Sequence, residues 1–376
     1  MIYFDNASTT KPREEVLREF EHASIENFAN PSSIHKLAME NAANIERIKV
    51  NILKNLKLDS KKYDVIFTSG ATESNNLAIY GFCMRNKKRF NHILTSKYEH
   101  ASVLNVFKEL ESLGFKVDYI NINKEGEIDL EDLKSHLDSN PVFVSFMGVN
   151  NEIGTVNNLK EIRKIIGEDS VFHSDLVQGI GKAKLELNCL DMFTFTSHKI
   201  YGLKGCGALV KKRSINLDKI IYGGGQQQDL RSGTLDYPSI SAFNVAVNLL
   251  VKNENEEYKK IKEIHDYLVN ELKKIDGVSV HDFKISTPYI VSLSLINKKA
   301  SVVVEDLSNK NIFVNSESAC YSKREEKSYV LLSIGCSEIE ASNPIRISLG
   351  VYNTLDEAKI FIQEFKKSLD SVRGYL

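Results

Sequence analysis

No apolar run in the 376 residues approaches the roughly 20 needed to span a bilayer, so no membrane association is expected. The first residues enter polar sequence at once, Asp5-Asn6-Ala7-Ser8-Thr9-Thr10, without a basic stretch followed by an apolar one. No secretory signal is expected. An excess of either charge is missing too: 49 basic and 50 acidic side chains leave a formal net charge of −1, and no nucleic acid is expected as a partner. Five cysteines, Cys83, Cys189, Cys206, Cys320 and Cys336, are scattered, odd in number and without the short paired spacings of a zinc site or a disulfide framework. The expectation is a soluble protein of the reducing cytoplasm with no resident metal. No G-x-G-x-x-G follows a strand and opens a helix, and the Walker lysine pattern is absent, which argues against a dinucleotide or P-loop fold. Internal repeats and low-complexity segments are lacking as well.

What is present is ordinary globular composition, 42% apolar and 26% charged, over a length that suits two to three domains. From Val65 to about Val210, short apolar runs (Val65 to Phe67, His92 to Leu94, Val117 to Ile120, Val142 to Val144, Val171 to His173, Met192 to Phe195) alternate with amphipathic segments such as Glu73 to Arg85, Ser102 to Leu113 and Leu159 to Ile166. This is the β/α rhythm of a largely parallel sheet covered by helices on both faces. Upstream, Arg13 to Asn27 and Ser33 to Leu56 read as helices, with Asn30-Pro31-Ser32-Ser33 as the turn and N-cap between them. A charged helix from Glu256 to Lys274 breaks the rhythm, and strands at Tyr289 to Leu295 and Ile345 to Ser348 and a last helix, Leu355 to Leu369, follow. The expected division is a large domain over 13–251, and a smaller α+β domain formed by 1–12 and 252–376.

Lys199 stands at the end of the Met192 to Phe195 run, in Thr196-Ser197-His198-Lys199-Ile200-Tyr201-Gly202. A lysine amine reacts with an aldehyde only when neutral, and a solvated lysine has a pKa of about 10.4, so burial or neighbouring cations must favour deprotonation there. Thr68-Ser69-Gly70-Ala71-Thr72 runs from a strand into a helix, which by itself suits a plain cap by Ser69 or Thr72, and the same free N–H groups can also face a phosphate. His100 and Asp175 end two further strands, at the edge where open α/β sheets bind ligands.

Together with Asn30-Pro31-Ser32-Ser33, Glu99-His100, Asn150-Asn151-Glu152-Ile153-Gly154, Arg231-Ser232-Gly233-Thr234, Ser318-Ala319-Cys320 and Ile345-Arg346-Ile347-Ser348, these segments carry a resemblance over nearly the whole chain. The sequence resembles the cysteine desulfurases, in the class V aminotransferase branch of the fold-type I pyridoxal-phosphate enzymes. That resemblance implies a mostly parallel seven-stranded sheet, a pyridoxal 5'-phosphate cofactor and a homodimer. It makes Lys199 the Schiff-base lysine, pairs Asp175 with the pyridinium nitrogen and Gln178 with the ring hydroxyl, and stacks His100 on the ring as a proton donor or acceptor. Thr72, Thr196 and His198 would hold the phosphate, Thr234 would reach that of the neighbouring subunit, and Ala71 and Asn151 would also touch the cofactor. Asn30 and Arg346, with Asn151, would bind substrate, and Cys320 would take sulfur from L-cysteine as a persulfide, leaving L-alanine, for an acceptor protein in iron-sulfur cluster assembly or thiolation. Val177, Ser197, Gln227 and Gln228 depart from the usual pattern without removing a reacting group. Two alternatives stay open: a selenocysteine lyase or another lyase or aminotransferase with the same cofactor, and an inactive partner in a sulfur-carrier assembly.

Overall fold

The computed structural model describes residues 1–316 and 327–372. Cys320 and its loop therefore lie outside the described residues. The chain begins with a short strand, β1 (Ile2–Tyr3), followed by helices α1 (Glu14–Glu26) and α2 (Lys36–Asn55). Alternation then sets in through β2 (Tyr63–Thr68), α3 (Ala71–Asn86), β3 (His92–Ser96), α4 (Ala101–Ser112), β4 (Lys116–Ile120), α5 (Leu130–Ser135), β5 (Phe143–Ser145), α6 (Leu159–Ile166), β6 (Val171–Asp175), β7 (Met192–Thr196) and β8 (Gly207–Lys212). Among the described residues these strands form one seven-stranded sheet in the order β2-β8-β7-β6-β5-β3-β4. Only β8 runs against its neighbours. Every residue of β2, β6 and β7 is buried, so the sheet is covered on both faces there.

Two expectations need correction here. The Asn30–Ser33 segment makes the turn before α2 but not its cap: His35 is the N-cap, its Nδ1 accepting from the Ala38 N–H at 3.4 Å. The charged helix begins not at Glu256 but at Tyr237, within the single helix α7 (Tyr237–Leu272) of 36 residues. Its apolar stripe belongs to one core up to Leu250 and to another from Ile261. The lysines and glutamates of the stretch between are good helix formers, which keep the helix running while its burial changes partner.

Beyond α7 come β9 (Val278–His281), β10 (Ile290–Leu295), α8 (Ala300–Asn309), β11 (Ile312–Phe313), α9 (Tyr329–Ser333), α10 (Glu338–Ser342), β12 (Pro344–Ser348) and α11 (Leu355–Ser371). β12, β10 and β9 form an antiparallel sheet, and β1 pairs with β11. Ile2 and Phe4 join Ile261, Leu268, Leu293, Ile347 and Phe361 in the second core. The N-terminal segment also stitches itself to β12: the Ser348 N–H donates to Phe4 O at 2.7 Å, and the Ala7 N–H donates to Ser348 Oγ at 2.8 Å. Residues 5–10 are thereby led across to the carboxyl end of the large sheet. Among the described residues no helix is long and apolar enough to cross a membrane.

Candidate active site

Lys199 closes the short turn that follows β7, and its Nζ donates to Ala7 O and, at 2.8 Å, to Ser8 O. An uncharged amine has two N–H bonds for those carbonyls and keeps its lone pair. Burial, reinforced by the Arg346 guanidinium, lowers the Lys199 pKa to about 8, although Asp175 and Asp5 oppose the shift. The deprotonated fraction at neutral pH is thus far above that of a solvated lysine.

Asp175 sits at the end of β6, buried. Its Oδ2 accepts from Asn75 Nδ2 at 2.8 Å and its Oδ1 from the Val177 N–H at 2.9 Å. A carboxylate offers about four acceptor positions, so capacity remains for another N–H donor. Asn75 Nδ2 also donates to Ser102 Oγ at 2.9 Å, and the Ser102 hydroxyl lies 2.8 Å from His100 Nδ1. His100 is itself the N-cap of α4, its Nδ1 accepting from the Ser102 N–H, which leaves the ring proton on Nε2. A continuous chain of hydrogen bonds thus links Asp175 to the exposed His100 through two side chains, Asn75 and Ser102, to which the sequence reading assigned no role. Asn75 lay in plain view in the first turns of α3; Ser102 carried no signal.

The start of α3 is not capped by a side chain: Gly70 is its N-cap, and neither Ser69 nor Thr72 caps it. Ser69 instead donates its N–H to Glu73, whose carboxylate also holds Arg231 at 2.8 Å. The first-turn N–H groups at Ala71 and the exposed Thr72 are left facing outward, the donor set that suits a phosphate. Gly207 at the start of β8 packs so closely behind this turn that a Cβ there would lie 2.7 Å from the Gly70 backbone. A cleft of about 720 Å³ opens beside Thr72 and His100 and runs outward between α3 and α4.

The remaining expected residues fall into two groups. Gln178 is buried, with Nε2 on Ala7 O at 2.8 Å and Oε1 accepting from Lys182 Nζ at 2.7 Å. His198 faces Thr9 Oγ1 at 3.1 Å, and burial together with Lys199 lowers its pKa to about 4, which keeps it neutral. Arg346 is buried, donating to Asn151 O at 2.9 Å, Ser8 Oγ at 3.0 Å and Asp5 Oδ1 at 3.2 Å. All of these meet around Lys199. Thr196 is adjacent, but its hydroxyl proton is committed to Cys206 O at 3.0 Å, so it faces a ligand only as an acceptor. Asn30 and Thr234 stand apart: both are exposed, and Asn30 accepts from Ser32 within its own turn rather than meeting Arg346. Lys182 escaped the sequence reading. It is fully buried, and burial plus the nearby Lys199 and Arg346 lower it to about 7; its one sequence signal is a spacing of four from Gln178.

The sequence pattern of the class V aminotransferases matches residues 2–361. The chain belongs to that family. Within this class V family its similarity is to cysteine desulfurases: it is 37% identical to a NifS/IcsS protein homolog of Lactobacillus delbrueckii subsp. bulgaricus, over 97% of this chain and 96% of that one. It is 34% identical to the cysteine desulfurase IscS of Clostridium botulinum, over 99% and 95%. A solved NifS-like protein superposes with a TM-score of 0.91 at 31% identity, covering 98% of this chain and 99% of its own. The α/β fold of this class V enzyme, with its mostly parallel sheet, is that of the fold-type I group, and the protein is a cysteine desulfurase.

Proposed function

We propose that the enzyme converts L-cysteine to L-alanine with pyridoxal 5'-phosphate held at Lys199, acts as a cytoplasmic homodimer, and passes the sulfur through Cys320 to an acceptor protein in iron-sulfur cluster assembly or thiolation. The observation that carries this reading is the part-buried Lys199 amine, lowered to about 8, on the same sheet edge as a buried Asp175 with acceptor capacity to spare. The cofactor fits these residues: an uncapped helix start supplies N–H groups for its phosphate, and the donor set around Asp175 leaves room for a ring N–H.

When bound, the cofactor supplies an aldehyde for the substrate amine and an electron-withdrawing ring that stabilises negative charge at the α-carbon. Asp175 would keep the proton on the ring nitrogen, and Gln178 would donate to the ring hydroxyl. Ala71, Thr72, Thr196 and His198, with Thr234 of the second copy, would hold the phosphate. Arg346 would bind the substrate carboxylate, with the Asn151 carbonyl beside it. Lys199, once neutral, would accept the α-proton, and His100 would present Nε2–H as a proton donor. Cys320 attacks the substrate sulfur as a thiolate: the C–S bond breaks, an S–S bond forms, and the carbon that loses sulfur takes up a proton to become the methyl group of alanine.

The test is alanine and sulfide release from L-cysteine with a reducing thiol, comparing wild type, Cys320→Ala and Lys199→Ala. Activity is expected to vanish in both variants, with the cofactor absorbance retained in Cys320→Ala and altered in Lys199→Ala. Full activity of Cys320→Ala would remove that residue from the reaction and favour a selenocysteine lyase or another lyase.

A further inference from the structure

Away from Lys199, three side chains of the kind that bind a soft divalent cation meet at the edge of the smaller sheet. They are His281 at the end of β9, Cys336 between α9 and α10, and Glu340 in α10, all half-buried. One ligand atom from each lies within 4.8 Å of the other two. Cys336 Sγ is 3.7 Å from His281 Nδ1. A tetrahedral zinc ion, with Zn–S of about 2.3 Å and Zn–N of about 2.0 Å, separates such a pair by roughly 3.5 Å.

Each ligand is held by structure that does not depend on an ion. Ser294 Oγ donates to Glu340 O at 2.9 Å, which commits the hydroxyl proton, so the same oxygen accepts from His281 Nε2–H at 2.8 Å. The imidazole lone pair is therefore on Nδ1, aimed at the Cys336 sulfur. Anchoring the far ring N–H in this way is how metal-binding histidines are oriented. Cys336 is positioned by the end of α9: Gly335, at φ 90°, donates to Leu332 O at 3.1 Å and the Cys336 N–H to Leu331 O at 3.0 Å, closing a Schellman turn. Glu340 is fixed by its capping box with Ser337, which engages Oε2, while Oε1 accepts from Ser279 Oγ at 2.7 Å. Oε1 retains an acceptor position.

We propose that His281, Cys336 and Glu340 form a zinc site, with water as the fourth ligand, that clasps α10 and the α9–α10 turn to the β9–β10 pair. Binding exchanges the thiol proton of Cys336 for the cation, without change of oxidation state. Sequence spacing hides the site, because His281 reaches Cys336 only through the sheet. None of its residues belongs to the Lys199 site, so the inference is independent of the function proposed above.

The test uses the cofactor-loaded protein, treated with a chelator, exposed to zinc sulfate, desalted and analysed for bound zinc. Wild type and Cys320→Ala are expected to retain about one zinc per chain; Cys336→Ala and His281→Ala are expected to retain none. Ser294→Ala keeps all three ligands but frees the imidazole, and zinc binding should weaken by about 10- to 100-fold. Cobalt(II) in place of zinc should add a thiolate charge-transfer band that disappears in Cys336→Ala. Equal retention by wild type and Cys336→Ala, or no retention by folded wild type, would overturn the assignment and leave a simple S–H···N hydrogen bond. If Cys336→Ala fails to fold, Ser294→Ala decides: unchanged affinity there also rejects the site.

Discussion

Replacing Glu99 with glutamine should change how stability depends on pH, in a way that can be worked out from the side chain's surroundings. Glu99 is fully buried between β3 and α4, and burial, reinforced by Asp175, raises its carboxyl from 4.5 to about 8, although hydrogen bonds from Met147 and Ser96 oppose the shift. Between those values the folded protein keeps a proton that the unfolded chain has released. Its stabilisation is complete below about 4.5 and is lost as pH rises through about 8, at about 1.4 kcal/mol per pH unit. Glutamine cannot titrate, and its carbonyl can still accept from Ser96 Oγ at 2.9 Å and the Met147 N–H at 2.8 Å. Urea unfolding of cofactor-loaded wild type and Glu99→Gln at about pH 5.5 and about pH 7.5 cancels the other groups; the stability difference should shift by about 3 kcal/mol against wild type at the higher pH. A difference constant to within about 0.5 kcal/mol would mean that Glu99 is ionised in the folded protein throughout, and the reasoning from burial would fail.

Other perturbations reach the site by different routes. For protein stripped of cofactor, the rate of pyridoxal phosphate uptake should rise about tenfold per pH unit below the lowered Lys199 pKa of about 8 and level off above it, as stopped-flow absorbance would record; a plateau reached only near pH 10 would contradict the lowering. Asn75→Ala leaves Asp175 Oδ2 and Ser102 without their shared donor and should cost about 1–3 kcal/mol in denaturant midpoints while weakening cofactor retention on dialysis. Gly207→Ala drives a methyl group against the Gly70 backbone at 2.7 Å. It should destabilise by about 1–3 kcal/mol and raise the cofactor dissociation constant, because the start of α3 must shift; an unchanged dissociation constant would separate that helix start from the phosphate.

The parallel sheet was legible because each buried strand contains a short apolar run and the helices between them keep a three-and-four rhythm; α6 matches its expected bounds, Leu159–Ile166. α7 was read short because periodicity reports burial, and burial changes partner between Leu250 and Ile261 without the backbone leaving the helix. Lys199, Asp175 and His100 stood out because reactive residues at strand ends share one edge of the sheet. Asn75, Ser102 and Lys182 did not, since their importance lies in what they touch: Asp175, His100 and Gln178. The cap at His35 was missed because serine and asparagine are commoner caps, while an imidazole nitrogen can accept the same N–H.

The contacts of residues 5–8 with Lys199 and Arg346 have a consequence for the order of synthesis. A ribosome makes Asp5, Ala7 and Ser8 long before Arg346 and Ser348, their partners 338 or 341 residues further along the chain. Until then the carbonyls that receive the Lys199 amine are held from one side alone, by contacts such as Gln178 on Ala7 O and His198 on Thr9 Oγ1. A chain that stops short of Arg346 can form the large sheet and still lack part of the contacts that seat its reactive lysine, so full reactivity toward aldehydes at that site waits for the β12 strand to be made.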